Sequence, residues 1–448
     1  MIIHIPNSHI EERKYIVDLI FNEFLGLSYK ISFYDEKDYK IILDNNSYIT
    51  IIDSFFSVQE NENYLKADNI PSSIQYGVNP YIVEDNIPII YGSRLFEVEN
   101  NSALCGIDIF ASSFFMLTRW EESVIKERDL YNRFPAKASV AYKNGFLDRP
   151  IVNEYVEMLW NLLCHLGINQ DRKQREFKLI VTHDVDNINC WKNLKRTSKI
   201  LGADILKRRN IPLFFQNLLE IPQVKIGIKK DPYDTFDYLM DLSEQINVKS
   251  RFYFMSGGVT KFDNDYNIKD PLSIKIIDKI KERGHIIGFH PSFNAYNDPV
   301  QWRKEKELLE EVIGVDIKEG RQHFLRFEAP ITWNIWNDNN MDMDCTLGYA
   351  DREGFRCGTC YEYPVFDFIN RKRLKTKEYP LIVMEGSFLT YQSVTPTQMY
   401  DKTMKLLGIS KKYKGNFVYL WHNSSFNTQD WKKYENVYDK VLRHHIIN

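Results

Sequence analysis

A mixed α/β protein with a parallel sheet in its C-terminal part is the architecture this chain predicts, and three observations carry it. From residue 175 onward, short apolar runs alternate with amphipathic segments of helical period. Several of those runs finish in a carboxylate or an imidazole, the end of a strand at which parallel α/β folds place their ligand sites. The length, 448 residues, is enough for two domains with separate cores.

Residues 1–95 read as a smaller α+β domain. Strand-like segments such as "YKIILDNNSYITII" are broken by Asn and Asp turns, and one amphipathic helix lies near "KYIVDLIFNEFL". Residues 96–174 contain "DIFASSFFMLTRWEE" and "PIVNEYVEMLWNLL", whose helical period and aromatic content suit a helical bridge packed between two domains. The region 175–448 supplies candidate strands "KLIVTHD", "KSRFYFMS", "HIIGFH", "RQHFLRF", "MDCTLGY", "LIVMEGSF" and "NFVYLWHN". Between them the helix signals are explicit. One helix is expected to start at an Asp270 cap with Pro271, to bury Ile276, Ile277 and Ile280, and to stop at Gly284. Others are centred on "DTFDYLMDLSEQI", "PVQWRKEKELLEEVIG" and "TPTQMYDKTMKLL".

The stretch Val181-Thr182-His183-Asp184-Val185-Asp186 is the most informative in the chain. Strand alternation puts Asp184 and Asp186 on one face and turns His183 and Val185 to the other. Two like charges so placed need a cation or a shared proton, unless they serve only as a cap or turn. His290 and His422 end other apolar runs, whereas His285 begins one, at the wrong end for a site. His183, His165 and His4 suit packing or local hydrogen bonding. A divalent metal held by a carboxylate and imidazole or amide groups, with one position open, would activate water; a second carboxylate would take the proton and a histidine opposite would protonate the leaving group.

The remaining composition narrows the alternatives. A formal net charge of −3 with 27% charged residues suggests neither a nucleic-acid footprint nor a polybasic membrane patch. The start "MIIHIPNSHIEERKY" lacks the pattern of a secretory signal, and no run approaches a membrane span, so a cytoplasmic protein without an integral membrane segment is expected. Six cysteines are too irregular for a disulfide framework, and Cys357-Gly-Thr-Cys360 without a second pair reads as reduced thiols rather than a zinc site.

Taken in order, these strand ends resemble the polysaccharide deacetylases, the NodB-homology domains of carbohydrate esterase family 4. The likeness spans about residues 175–448 and implies a distorted (β/α) barrel acting as a metal-dependent hydrolase. "THDVD" is similar to the family's first motif, which implies Asp184 as general base and Asp186 as metal ligand. "GHIIGFHPSFN" places His290 at the first histidine ligand and Asn294 where the second is usual. An amide is a weaker ligand for zinc than imidazole, and His323 is the candidate substitute. "LRFEAP" implies Arg326 as the residue orienting the catalytic aspartate, although the surrounding residues depart from the usual pattern. "VYLWHNSSF" implies His422 as general acid, with Trp421 facing a sugar ring. "GYADREGFRCGTCYEYPVFD" resembles a bacterial subgroup with an extra N-terminal domain, and its Arg352 and Arg356 are candidates to bind an anionic part of the substrate.

The resemblance therefore implies a zinc enzyme, with cobalt or nickel as alternatives, that removes an N-acyl group, acetyl foremost, from an amino sugar or cell-surface glycan precursor. Two other readings share the residues. One is a catalytically lapsed relative, weakened at Asn294, that binds a glycan or scaffolds a complex. The other is a hydrolase of non-peptide C–N bonds in small metabolites.

Overall fold

The computed structural model describes residues 1–59, 63–192, 194–264 and 266–447. The N-terminal region forms a six-stranded mixed sheet in the order Lys30–Tyr34, Ile2–Pro6, Tyr39–Ile42, Tyr48–Ile51, Ser102–Ile107, Gly92–Val98. The expected boundary at residue 95 falls inside its edge strand. Gly92–Val98 and Ser102–Ile107 form an antiparallel hairpin whose second arm pairs with Tyr48–Ile51, so the sheet continues twelve residues beyond that boundary.

The helix Ile109–Thr118 follows at once, capped by Asp108, whose Oδ1 accepts from the Ala111 amide at 2.9 Å. Every residue of that helix is buried, as befits an element packed between two sheets. Phe114 meets Phe366 at 5.5 Å between ring centroids, and the Leu117 carbonyl accepts from the Tyr363 hydroxyl at 2.9 Å. Tyr15 donates across to the Pro364 carbonyl at 2.8 Å. Burial of each such aromatic contributes about 1.5–3 kcal/mol, and a single hydrophobic cluster runs through both regions.

The C-terminal region is a nine-stranded sheet, curled into a half-barrel. Its order is Tyr363–Asp367, Lys372–Glu378, Met343–Asp344, Glu319–Gly320, Ile286–Phe289, Arg251–Phe254, Lys178–Val185, Asn416–Leu420, Leu381–Met384. All neighbours are parallel except the first pair. Buried on both faces, these strands split into two cores by alternation. Val181, Val185, Phe252, Phe254 and Tyr419 face the helical layer. Ile180, Tyr253, Val418 and Leu420 instead pack within the curl, and Asp184, two steps on from Thr182, rises from that inner face.

The helices expected from the sequence occupy Phe236–Gln245, Pro271–Glu282, Pro299–Ile313 and Pro396–Lys412. The second buries Ile276, Ile277 and Ile280 and is followed by Gly284 at φ 72°. Its Asp270 flanks the first turn without a side-chain cap bond. "RQHFLRF" is not a strand. Pairing ends at Glu319–Gly320, and Phe324 and Leu325 take φ 60° and 55°, turning the chain over the rim. Gly320 is required where it stands, because a Cβ there would overlap the Phe289 carbonyl oxygen. All six cysteines are free, with Cys357 and Cys360 buried. Among the described residues no helix is long and apolar enough to cross a membrane.

Candidate metal centre and hydrolytic site

Three strand ends and one turn converge on a cleft of about 280 Å³ lined by Asp184, Asp186, His290, His323 and His422. The register explains the convergence: Asp184 lies beside Tyr253, and His290 follows directly after Phe289, which pairs with Gly320. The turn that begins at His323 then brings that ring over His290.

The two imidazoles are fixed by their outer nitrogens. His290 Nδ1 lies 2.6 Å from the Arg321 carbonyl and His323 Nε2 lies 2.8 Å from the Phe262 carbonyl. A carbonyl can only accept, so each of those nitrogens carries the proton, an assignment made from partners. In the neutral rings the inner nitrogens then present bare lone pairs, His290 Nε2 to His323 Nδ1 at 3.0 Å. Asp186 Oδ1 stands 3.4 Å from the first and 3.5 Å from the second, yet it is buried and receives no hydrogen bond. Three electron-rich atoms facing one another without a proton are repulsive unless a proton or cation lies among them.

Their spacing fits a divalent ion. Ligand bonds of about 2.0–2.1 Å in a tetrahedral site separate neighbouring donors by about 3.3–3.4 Å, and the three separations here are 3.0, 3.4 and 3.5 Å. Both rings also show the carbonyl-anchored outer nitrogen typical of metal-ligating histidines. Burial alone would push the Asp186 carboxyl up, but His323, His290 and His422 outweigh it and hold it far below the usual carboxylate range.

Asp184 stands beside this trio, its Oδ2 3.7 Å from His290 Nε2. Its other oxygen accepts from Arg321 Nη1 at 2.8 Å, both side chains being buried. Burial opposes ionisation of Asp184, yet Arg321 and then His290 keep its carboxyl below the ordinary value. Arg321 is itself anchored, donating from Nε to the Cys345 carbonyl at 2.8 Å. On the opposite wall His422 Nε2 lies 3.6 Å from Asp186 Oδ2, and its Nδ1 lies 2.6 Å from Glu385 Oε1. Burial disfavours the charged ring, but Glu385, with Asp186 behind it, raises His422 to about 10.

The cleft thus brings together Asp184, Asp186, His290, His422 and the substitute His323. Five other expected residues lie elsewhere. Asn294 is exposed, and its Oδ1 accepts from Arg326 Nη1 at 3.2 Å. Arg326 is held between the Phe293 and Tyr296 rings at 4.0 Å from each and donates to the Phe293 carbonyl, so the arginine on the aspartate is Arg321. The turn at Phe324 and Leu325 separates the two arginines in space. Trp421 is fully buried on the outer face, donating to the Ser425 carbonyl at 3.0 Å, because it shares strand parity with Tyr419. Arg356 is buried against Glu122, its Nε at 2.9 Å, and Arg352 lines a separate cleft with Tyr142 and Lys405. His183 points away as alternation requires, Nδ1 donating to the Trp421 carbonyl at 2.7 Å. Glu385 and Arg321 were not singled out from sequence. Glu385 carried the same signal as Asp184, an acid ending an apolar strand.

Comparison with known proteins gives partial matches. A family model described as a family of unknown function (DUF7033) matches residues 1–167. No curated protein matches the chain. Among solved structures, a polysaccharide deacetylase from Bacillus cereus is 12% identical, with 61% of this chain and 89% of that one covered, at a TM-score of 0.30. The chitin deacetylase of the fungal pathogen Colletotrichum lindemuthianum is 14% identical over 61% and 83%, at 0.30. A CE4 family pseudoenzyme from Bacillus anthracis is 9% identical over 61% and 62%, at 0.30, so the chain spans less than two thirds of its length. At such scores these likenesses assign nothing by themselves, and the chemistry rests on the geometry above.

Proposed function

We propose that the chain is a metal-dependent hydrolase of the polysaccharide deacetylase type, its half-barrel a form of that distorted (β/α) barrel, removing an N-acyl group from an amino sugar or glycan precursor. The observation that carries this reading is the cluster of Asp186 Oδ1, His290 Nε2 and His323 Nδ1, three donor atoms within 4.8 Å of one another with their outer nitrogens already engaged. Those residues would hold a divalent ion, zinc first, with cobalt or nickel as alternatives. When bound, the ion supplies Lewis acidity to the acyl oxygen and to water.

The chain's own groups do the rest. Asp184, kept ionised by Arg321, accepts a proton from the water that attacks the acyl carbon. Arg321 fixes which oxygen of Asp184 faces the cleft. His422, kept protonated by Glu385, donates from Nε2 to the departing amine nitrogen. An acid and a base whose environments drive their proton affinities apart, on opposite walls of one cleft, are what amide hydrolysis requires.

The lapsed-relative reading rests on Asn294, and His323 Nδ1 at 3.0 Å from His290 Nε2 supports the hydrolase in preference to it. The metabolite-hydrolase reading uses the same residues with a different substrate. The test is acetate release from N-acetylglucosamine oligomers by zinc-loaded protein, set against Asp184→Asn. Loss of at least about 100-fold in rate with metal content unchanged is expected. Full activity in Asp184→Asn would reject the assignment.

A further inference from the structure

Between the Asp186 strand end and the helix Phe236–Gln245 the chain inserts two helices, Leu194–Leu206 and Ile211–Lys225. They behave unlike the rest of the helical layer. Only Asp204 and Leu213 are buried within them. Nine of the large hydrophobic side chains that stand exposed in the described protein fall between residues 194 and 228, among them Leu206 (82%), Ile228 (71%), Leu219 (65%) and Phe215 (55%). Solvated helices of a water-soluble domain rarely carry apolar faces of that size without a partner.

The same segment is strongly basic. Residues 194–230 hold nine lysines and arginines against two acids, in a chain whose net charge is −3. Arg208 is paired with Asp204 and Asp430, and Lys230 with Asp237. Lys195, Lys199, Lys207, Arg209, Lys225 and Lys229 have no ion-pair partner among the described residues. Free cations interleaved with exposed aliphatic and aromatic side chains are complementary to one class of surface that is both anionic and apolar.

We infer that this helical hairpin docks the protein on an anionic lipid bilayer, its aliphatic side chains entering the headgroup and acyl boundary and its lysines and arginines meeting the lipid phosphates. At 13 and 15 residues the helices are about 20 Å long, shorter than the roughly 30 Å hydrocarbon core, so they lie along the interface. Nucleic acid would satisfy the cations but leave the leucines and isoleucines in water. The insertion leaves the sheet at the rim where Asp184 and Asp186 sit. Arg208 Nε donates to Asp430, in the loop after His422, at 3.2 Å. Joined to the hydrolase reading, which the docking itself does not need, this arrangement brings the cleft to a lipid surface and favours a membrane-anchored glycan substrate.

Co-sedimentation of the full chain with phosphatidylcholine vesicles, with and without phosphatidylglycerol, tests the inference. Binding to the anionic vesicles, weakened by salt and slight on neutral ones, is expected. Lys207→Ala with Arg209→Ala should weaken it by about 30-fold, about fivefold per cation, and Phe215→Ser with Leu219→Ser should also weaken it. Both variants should keep the melting temperature and the rate on a soluble substrate. Absence of binding to anionic vesicles, or equal binding by the variants, overturns the inference. So does a dimer in light scattering that the variants abolish, or retention on a nucleic-acid probe in place of vesicles.

Discussion

Replacing Arg321 by Met tests which side chain orients the base, and its size can be worked from the structure. Arg321 and Asp184 have side-chain exposures of 0% and 3%, with Nη1 to Oδ1 at 2.8 Å. Removing one partner of such a pair leaves a buried charge uncompensated and costs about 3–5 kcal/mol. If that loss is felt at the transition state, kcat/KM falls by about 10²–10⁴-fold. Asp184 is depressed by the arginine, so the pair stabilises the fold above the ordinary aspartate range and loses that contribution as pH falls through the folded value. In Arg321→Met the acid limb of the kcat/KM profile should therefore move to higher pH. The double variant with Asp184→Asn removes the stranded charge, so its denaturation midpoint should recover while activity does not. Arg326→Met, which loses only contacts to Phe293, Asn294 and Tyr296, should keep kcat/KM within about threefold. The reasoning fails if Arg321→Met retains activity while Arg326→Met abolishes it.

Three further outcomes follow from the same geometry. His323→Ala should lower zinc affinity by more than about 100-fold in a competitive chelator titration, whereas Asn294→Ala should leave it unchanged. In Glu385→Gln the loss of the carboxylate that raises His422 should lower the alkaline limb of kcat/KM by about 1–3 pH units relative to the parent. The sign is fixed by the raised value: the protonated ring is favoured in the folded protein at neutral pH and that advantage disappears as pH rises through about 10. Arg356→Met should destabilise the fold by about 1–3 kcal/mol in denaturant unfolding, because it removes one of the two buried arginines that hold Glu122 and leaves that carboxylate to Arg119 alone, with no change in the KM of the folded fraction.

Much of the site was legible because period two and strand direction are local properties. "KLIVTHDVD" fixed the side of Asp184 and Asp186, and the apolar runs before His290 and His422 put both at carboxyl ends. The same rule, carried one residue further, turns Trp421 outward, so its placement against a sugar was avoidable. Arg321 was hidden because "RQHFLRF" has the composition of a strand but bends at Phe324 and Leu325, and the likeness of "LRFEAP" to a family motif points to Arg326 instead. Asn294 was chosen by its place in a motif, whereas the third donor comes from another segment through a turn that no local pattern announces. The edge strand Tyr363–Asp367 and its neighbour Lys372–Glu378 were unmarked, since "KRLKTKE" lacks hydrophobic alternation. Net charge over the whole chain concealed the basic insertion, since the remaining residues carry the balancing acids.

The most direct measurement of the central claim is an anomalous-scattering map at the zinc edge from crystals grown with zinc. A single strong peak about 2.0–2.2 Å from Asp186 Oδ1, His290 Nε2 and His323 Nδ1 is expected, with Asp184 beside it and His422 across the cleft. A map with no peak among those three atoms, or with the ion held at Asn294 instead, would contradict the account.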